Sequence, residues 1–139
     1  YGVWGKHTLF EESLRSPLII SYKDIPKSGE PSKAVVESID IFPTLCDIAN
    51  IPIPEYIYGK TLKPQLDNPE SHGHSAVGFQ KHRKTIRTEN HRLVLHNNGY
   101  AELYDFSNTK NPGINRAQDF PNIVTQLTEQ LNERIKLIR

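Results

Sequence analysis

Gly5-Lys6-His7-Thr8-Leu9-Phe10-Glu11 runs through Glu12-Ser13-Leu14 to Arg15-Ser16-Pro17 and on into Leu18-Ile19-Ile20-Ser21-Tyr22. A charged, turn-forming lead, a short amphipathic stretch and then an apolar run is a common way to build an active-site loop on a rigid α/β scaffold. Gly2 and Gly5 allow the backbone to turn tightly beside a ligand. Thr8 and Glu11 stand at the S/T-x-x-E spacing of a capping box, which leaves Lys6 just outside a helix start. An ammonium beside backbone donors aimed at the same place suits an anion. The run from Pro17 to Tyr22 predicts a strand covered on both faces in a mostly parallel sheet. The expectation is that the chain begins inside a site.

Further along, residues 23–33 contain Pro26, Gly29, Pro31 and several charges and read as an exposed loop. Val35-Val36 predicts a short extended piece, and Asp40 an N-cap ahead of Pro43 in a first helical turn. Ile41, Leu45 and Ile48 recur at helical spacing, predicting a helix that packs this face on the sheet and ends near Asn50. Asp67-Asn68-Pro69-Glu70-Ser71-His72-Gly73 reads as a polar hinge after a first region ending at about Leu66. Beyond it, residues 75–79, 84–88, 92–96 and 102–106 predict four short strands, with Asn97-Asn98-Gly99 as a hairpin turn. Ile123, Leu127, Leu131, Ile135 and Ile138 mark the core face of a final helix after Pro121. An antiparallel sheet covered on one face by that helix is the economical architecture.

A chain of 139 residues, 36% hydrophobic and 24% charged, is long enough to bury one ordinary core. The net charge of +1 argues against nucleic acid as a partner, because such modules carry a large excess of Lys and Arg. The single cysteine, Cys46, excludes an internal disulfide. No apolar stretch approaches the ~20 residues needed to span a bilayer, so a membrane partner is not expected.

Several side chains invite a functional reading. His72-Gly73-His74 spaces two imidazoles on one strand face, but structural zinc asks for four N/S ligands and no third is evident. Lys81-His82-Arg83-Lys84 with Arg87, His91 and Arg92 is a basic run that reads first as a solvated rim. Its second reading is contact with an anionic sugar, for which His82 and Arg83 are the nominated residues. Glu11 and Arg15 stand at i,i+4 and read as a structural pair.

These residues carry a resemblance. The run from Gly2 to Ile20 resembles the carboxyl-terminal third of sulfatases, enzymes of the alkaline-phosphatase-like superfamily. Asp40-Ile41-Phe42-Pro43-Thr44-Leu45 with Ala49 is similar to that family's helix after a sheet strand, and Gly59-Lys60-Thr61-Leu62-Lys63-Pro64-Gln65-Leu66 to the following loop. Ile86-Arg87-Thr88, Arg92-Leu93-Val94 and Glu102-Leu103-Tyr104-Asp105-Phe106 resemble strands of its small terminal sheet. Tyr58, where an acidic residue often precedes Gly59, and Asn111-Pro112-Gly113-Ile114-Asn115, in place of an acidic Asp-Pro-Gly-Glu segment, depart from the family pattern.

The resemblance implies an α/β fold: residues 1–66 as terminal elements of an alkaline-phosphatase-like catalytic domain, and residues 67–139 as a small antiparallel four-stranded sheet packed with a C-terminal helix. It implies Lys6 as the residue contacting the sulfate and His7 as its neighbour, either behind the lysine or on the substrate side. Family members extend roughly 300 residues further upstream, enough for another domain. There they carry a Cys-x-Pro-Ser-Arg cysteine converted to formylglycine and hold calcium, or magnesium, by residues with no counterpart here. Cys46, followed by Asp47-Ile48, does not match that nucleophile. The implied partners are a sulfated small molecule or glycan and the upstream part of the same enzyme, with self-association expected of the isolated piece. The implied location is secreted, periplasmic or lysosomal. A phosphonate or phosphodiester hydrolase of the same superfamily and a non-enzymatic module binding anionic glycans are the alternatives.

Overall fold

The computed structural model describes residues 7–107 and 113–138, which fall into two units: residues 20–76, and the segment up to Ile19 together with residues 77–137. In the second of these, β1 (Ala76–Gln80), β2 (Arg83–Arg87), β3 (His91–His96) and β4 (Ala101–Asp105) form an antiparallel sheet in sequence order, followed by the helix α4 (Pro121–Ile138). Every strand lies within a residue or so of its expected place. The strands are short runs around apolar residues, β3 carrying Leu93-Val94-Leu95 in succession because both of its faces are covered, and two of the turns carry left-handed residues: Gly99 at φ 84° and Lys81 at φ 49°.

The register sorts the side chains into two faces. Ile86 lies opposite Leu93 and Leu93 opposite Leu103, all three with no exposure, and Leu127 and Leu131 of α4 close over them. Each such buried aliphatic side chain contributes about 1.5–3 kcal/mol. The same helix face presents Ile123 and Ile135 to this core, as its spacing predicts.

The other face is not open. Leu9 and Phe10 pack on Val94, Tyr104 and Phe106, with the Phe10 and Tyr104 rings edge to face at 5.5 Å. The one-turn helix α1 (Glu11–Leu14) continues this cover. Gly78 makes room for it: a Cβ there would lie 3.2 Å from Thr85 Cγ2 and within 4 Å of Leu9 and Leu14. The expected capping box does not form. Thr8 Oγ1 is 2.7 Å from Ser13 Oγ, and Glu11 turns instead to two arginines of the sheet.

In the other unit, α2 (Ile41–Ile48) and α3 (Lys63–Asp67) are joined by the loop through Gly59. Helix α2 ends with Asn50 at φ 54°, its N–H on the Asp47 carbonyl and the Ile51 N–H on the Cys46 carbonyl, a Schellman closure. Two expectations fail here. Residues 18–22 form no strand, with Ile19 90% exposed, because no strand among the described residues offers them a ladder. The Ile41/Leu45 face of α2 is exposed, at 36% and 55%, whereas Pro43, Thr44 and Cys46 are buried. Periodicity identifies a helix but not what lies against each face, and the loop from Gly59 to Leu62 draws the polar side inward.

The expected hinge is tied down. The His74 N–H donates to the Val35 carbonyl at 3.0 Å, Ser32 Oγ donates to the Pro69 carbonyl at 2.8 Å, and a Cβ on Gly73 would stand 2.1 Å from Val35 O.

Candidate functional site

Lys6, the expected sulfate contact, lies outside the described residues; His7 is the first residue inside them and its side chain is exposed. The His7 carbonyl accepts a hydrogen bond from Gln80 Nε2, and Gln80 Oε1 accepts one from the Arg83 guanidinium. Gln80, at the end of β1, therefore connects the segment following Lys6 with one of the two basic residues nominated from sequence. The amide suits this place because it donates at one end and accepts at the other.

Arg83 pairs across the ladder with His96, on the sheet face that residues 7–14 cover. His82 and Arg83 line a depression of about 350 Å³ together with Lys81, His96, Asn97 and Asn98, at the end of the sheet where the β1–β2 and β3–β4 turns meet. The His96 imidazole is fixed from behind by Glu102 Oε1 at 2.6 Å, and Glu102 accepts from the Tyr104 hydroxyl. Sequence reading missed Gln80 and the His96–Glu102 pair. The turn at Asn98-Gly99 was the available signal, since it fixes the register that brings His96 and Glu102 to one face.

Glu11 anchors the covering segment. Its Oε1 lies 2.5 Å from Arg92 Nη2 and 3.0 Å from Arg87 Nε, not beside Arg15 as the i,i+4 spacing predicts. Burial would push the Glu11 carboxyl up, yet the hydrogen bond and charge of Arg92, with Arg87, hold it below the ordinary range. Burial in turn weakens Arg92's hold on its proton, against which Glu11 acts. Arg87 also stacks over the Phe106 ring, its guanidinium carbon 4.0 Å from the centroid.

In the other unit, the buried Asp40 carboxylate gathers three donors. Oδ2 takes the Glu37 N–H at 2.7 Å and lies 2.7 Å from His74 Nε2, while Oδ1 takes the Lys60 N–H at 2.8 Å. Asp40 thus closes the 3₁₀ turn Ser38–Asp40 and pins the Gly59 loop, instead of capping α2 with its side chain. Thr44 Oγ1 donates to the Asp40 carbonyl and accepts the Leu62 N–H at 2.8 Å, extending the seam. Burial would raise the Asp40 carboxyl, but His74 and the Lys60 and Glu37 amides lower it below its usual value.

Residues 1–137 match the family described as N-sulphoglucosamine sulphohydrolase, C-terminal. The chain belongs to this sulfatase C-terminal family. Among its relatives, N-acetylglucosamine-6-O-sulfatase of Bacteroides thetaiotaomicron is 40% identical over 68 residues, covering 49% of this chain and 12% of the relative. Arylsulfatase K of Homo sapiens is 27% identical over 147 residues, covering 94% and 27%. The solved structure of BT4656 with its substrate D-glucosamine-2-N,6-O-disulfate superposes with a TM-score of 0.74 at 25% identity, covering 86% of this chain and 28% of that one. Phosphonate monoester hydrolase of Agrobacterium radiobacter shares the fold at a TM-score of 0.55, 23% identity, covering 72% and 25%. The sulfatase chain described here thus spans between 12% and 28% of the length of these relatives, and its fold is that of their alkaline-phosphatase-like terminal part.

Sulfatase membership suggests a divalent metal. Glu37, Asp40 and His74 are, among the described residues, the cluster whose donor atoms fall within 4.8 Å of one another. They do not fit a hard cation: calcium takes six to eight oxygens, whereas Asp40 is engaged by N–H donors on both oxygens and His74 Nδ1 faces the Ser75 carbonyl at 3.0 Å. No helix among the described residues is long and apolar enough to cross a membrane.

Proposed function

We propose that the protein carrying this chain is a sulfatase that hydrolyses sulfate groups of a sulfated carbohydrate, with a formylglycine nucleophile and calcium or magnesium supplied by the part of the enzyme upstream of these residues. The observation that carries this reading is the family match over nearly the whole chain. The likeness to a structure bound to a disulfated glucosamine supports the substrate class. Within that enzyme we assign residues 1–66 to the end of the catalytic α/β domain and residues 67–139 to its small terminal subdomain. Its location is outside the cytoplasm: secreted, periplasmic or lysosomal.

Lys6 binds the sulfate group in this reading, and His7 stands beside it on the substrate side. Sulfate-ester cleavage keeps charge on the non-bridging oxygens while more develops on the leaving oxygen, so a cation already in place lowers the barrier. A unit charge pair at ~4 Å is worth about 1 kcal/mol in water and about 4 kcal/mol at an effective dielectric near 20, so enclosure gives the lysine its value. His82 and Arg83 hold further anionic groups of the sugar at the rim. Gln80 supports this assignment by joining the segment after Lys6 to Arg83.

The test is hydrolysis of glucosamine 6-O-sulfate, N-sulfoglucosamine and a phosphonate monoester by the complete protein. Sulfate release that drops by about 10²–10³ in Lys6→Met, the order of a lost oxyanion donor, supports the reading. Cleavage of the phosphonate alone would transfer the protein to the neighbouring hydrolase class. Binding of a sulfated sugar without turnover would leave the glycan-binding module.

A further inference from the structure

His74 is held in a way that a neutral imidazole does not satisfy. Its Nδ1 lies 3.0 Å from the Ser75 carbonyl oxygen, which can only accept, and its Nε2 lies 2.7 Å from Asp40 Oδ2. A neutral ring has one N–H and one lone pair. The Asp40 carboxylate already accepts the Glu37 and Lys60 N–H groups, so it is the acceptor here as well. Both ring nitrogens then donate, and the ring carries a positive charge. Glu37 Oε2, 3.7 Å from Nδ1, adds a second negative charge on the other side.

We infer that His74 is a protonated clamp that fastens residues 73–75 to the 35–40 turn and, through the Asp40 carboxylate that also holds the Lys60 N–H, steadies residues 59–62, and that loss of its proton loosens all three segments. The backbone contacts at these segments leave little room for a half-open arrangement. A Cβ on Gly59 would stand 2.1 Å from Ile39 O, and one on Gly73 the same distance from Val35 O, so each segment lies flat on the 35–40 turn. When the ring loses a proton the Nε2–H stays on the carboxylate, the stronger acceptor; the Nδ1 lone pair then faces the Ser75 carbonyl oxygen at 3.0 Å, and Asp40 and Glu37 lose the positive charge between them, which weakens the hold of residues 73–75 on the turn. The charged groups acting on His74 are Asp40 and Glu37, both on the 35–40 turn; Lys60 contributes its main-chain N–H and keeps its side chain exposed.

The sign of the effect follows. The hydrogen bond to Asp40 raises the His74 pKa above its ordinary value, with burial opposing. The clamp is therefore fully closed below the unfolded histidine value of about 6.5 and opens as pH rises through the higher folded value. At the acid end the Asp40 carboxyl, held low, keeps its contribution above the unfolded value near 3.9 and loses it as pH falls through the folded one.

Hydrogen–deuterium exchange of the complete protein, read by mass spectrometry and corrected for the intrinsic pH dependence, tests this. Peptides covering 35–40, 59–62 and 73–76 should lose at least about tenfold in protection between pH 6 and pH 9, while β3 and β4 stay unchanged. His74→Gln should show the low protection at both pH values. Equal protection of the three segments at pH 6 and 9 in the wild type overturns the inference, as does a pH step that survives in His74→Gln. Stoichiometric zinc or calcium retained by the wild type through desalting and lost in His74→Gln would replace the clamp with a metal site. If His74→Gln does not fold, the wild-type titration decides alone.

Discussion

Glu11 Oε1 sits 2.5 Å from Arg92 Nη2, joining a helix of one turn near the start of the described chain to a buried arginine in the middle of the sheet. Arg92 is only 4% exposed, so its charge depends on this partner. Glu11→Gln should cost about 3 kcal/mol, the lower end for breaking a buried pair, because Glu11 keeps some solvent access. Urea unfolding of the variant checks it, and replacing both residues together as Glu11→Leu with Arg92→Met should cost less than the single change.

The same pair sets an acid limit. Glu11 is held below its ordinary value, so its contribution is complete above the unfolded value near 4.3 and disappears as pH falls through the folded one. Urea midpoints of the wild type should fall between pH 5 and pH 3, and Glu11→Gln should flatten that part of the profile.

Leu131 of α4 has no exposure, and Leu137 is 60% exposed. Leu131→Ala should destabilise by about 2–5 kcal/mol, as a truncated core leucine does, and Leu137→Ser by less than about 0.5 kcal/mol. Thermal melts of the two variants side by side separate the core face from the solvent face.

Gly73 and Gly29 make a matched contrast. A Cβ at Gly73 would meet Val35 backbone oxygen at 2.1 Å, whereas Gly29, at φ 83°, has nothing within 4 Å. Gly73→Ala should open residues 35–40 to limited proteolysis; Gly29→Ala should cost only about 1–2 kcal/mol of local strain and leave the cleavage pattern unchanged.

The exposed Ile39, Phe42, Leu45, Ile51 and Ile53 leave much apolar surface on the unit of residues 20–76. The isolated 139-residue chain should self-associate and, supplied with calcium, hydrolyse no arylsulfate. Sedimentation velocity should show the association, and Phe42→Glu with Leu45→Lys should shift it toward monomer.

What sequence alone could reveal divides along the range of the forces involved. The four strands and α4 follow from short runs around apolar residues, the turn at Asn98-Gly99 and the Ile123/Leu127/Leu131 spacing, all of which are local. Residues 18–22 were misread because an apolar run becomes a strand only beside another strand. The exposed Ile41/Leu45 face of α2 was misread for the related reason that burial depends on what lies opposite. Glu11 suggested Arg15 four residues on, yet its partners are 76 and 81 residues away, and no spacing rule reaches that far. The His72-Gly73-His74 spacing offers two imidazoles without a third ligand and so points to no site; the partner of His74, Asp40, is 34 residues upstream and reads in sequence as a helix cap. Lys6 remains a nomination by family likeness.

The cover that residues 7–14 lay over the sheet has a further consequence for biosynthesis. Leu9 and Phe10 leave the ribosome long before the strand carrying Tyr104, and at 5–20 residues per second the delay is about 5–20 s. During that interval the two side chains have no native surface to occupy, and translation pauses or chaperone capture within it would govern the yield of correctly folded protein.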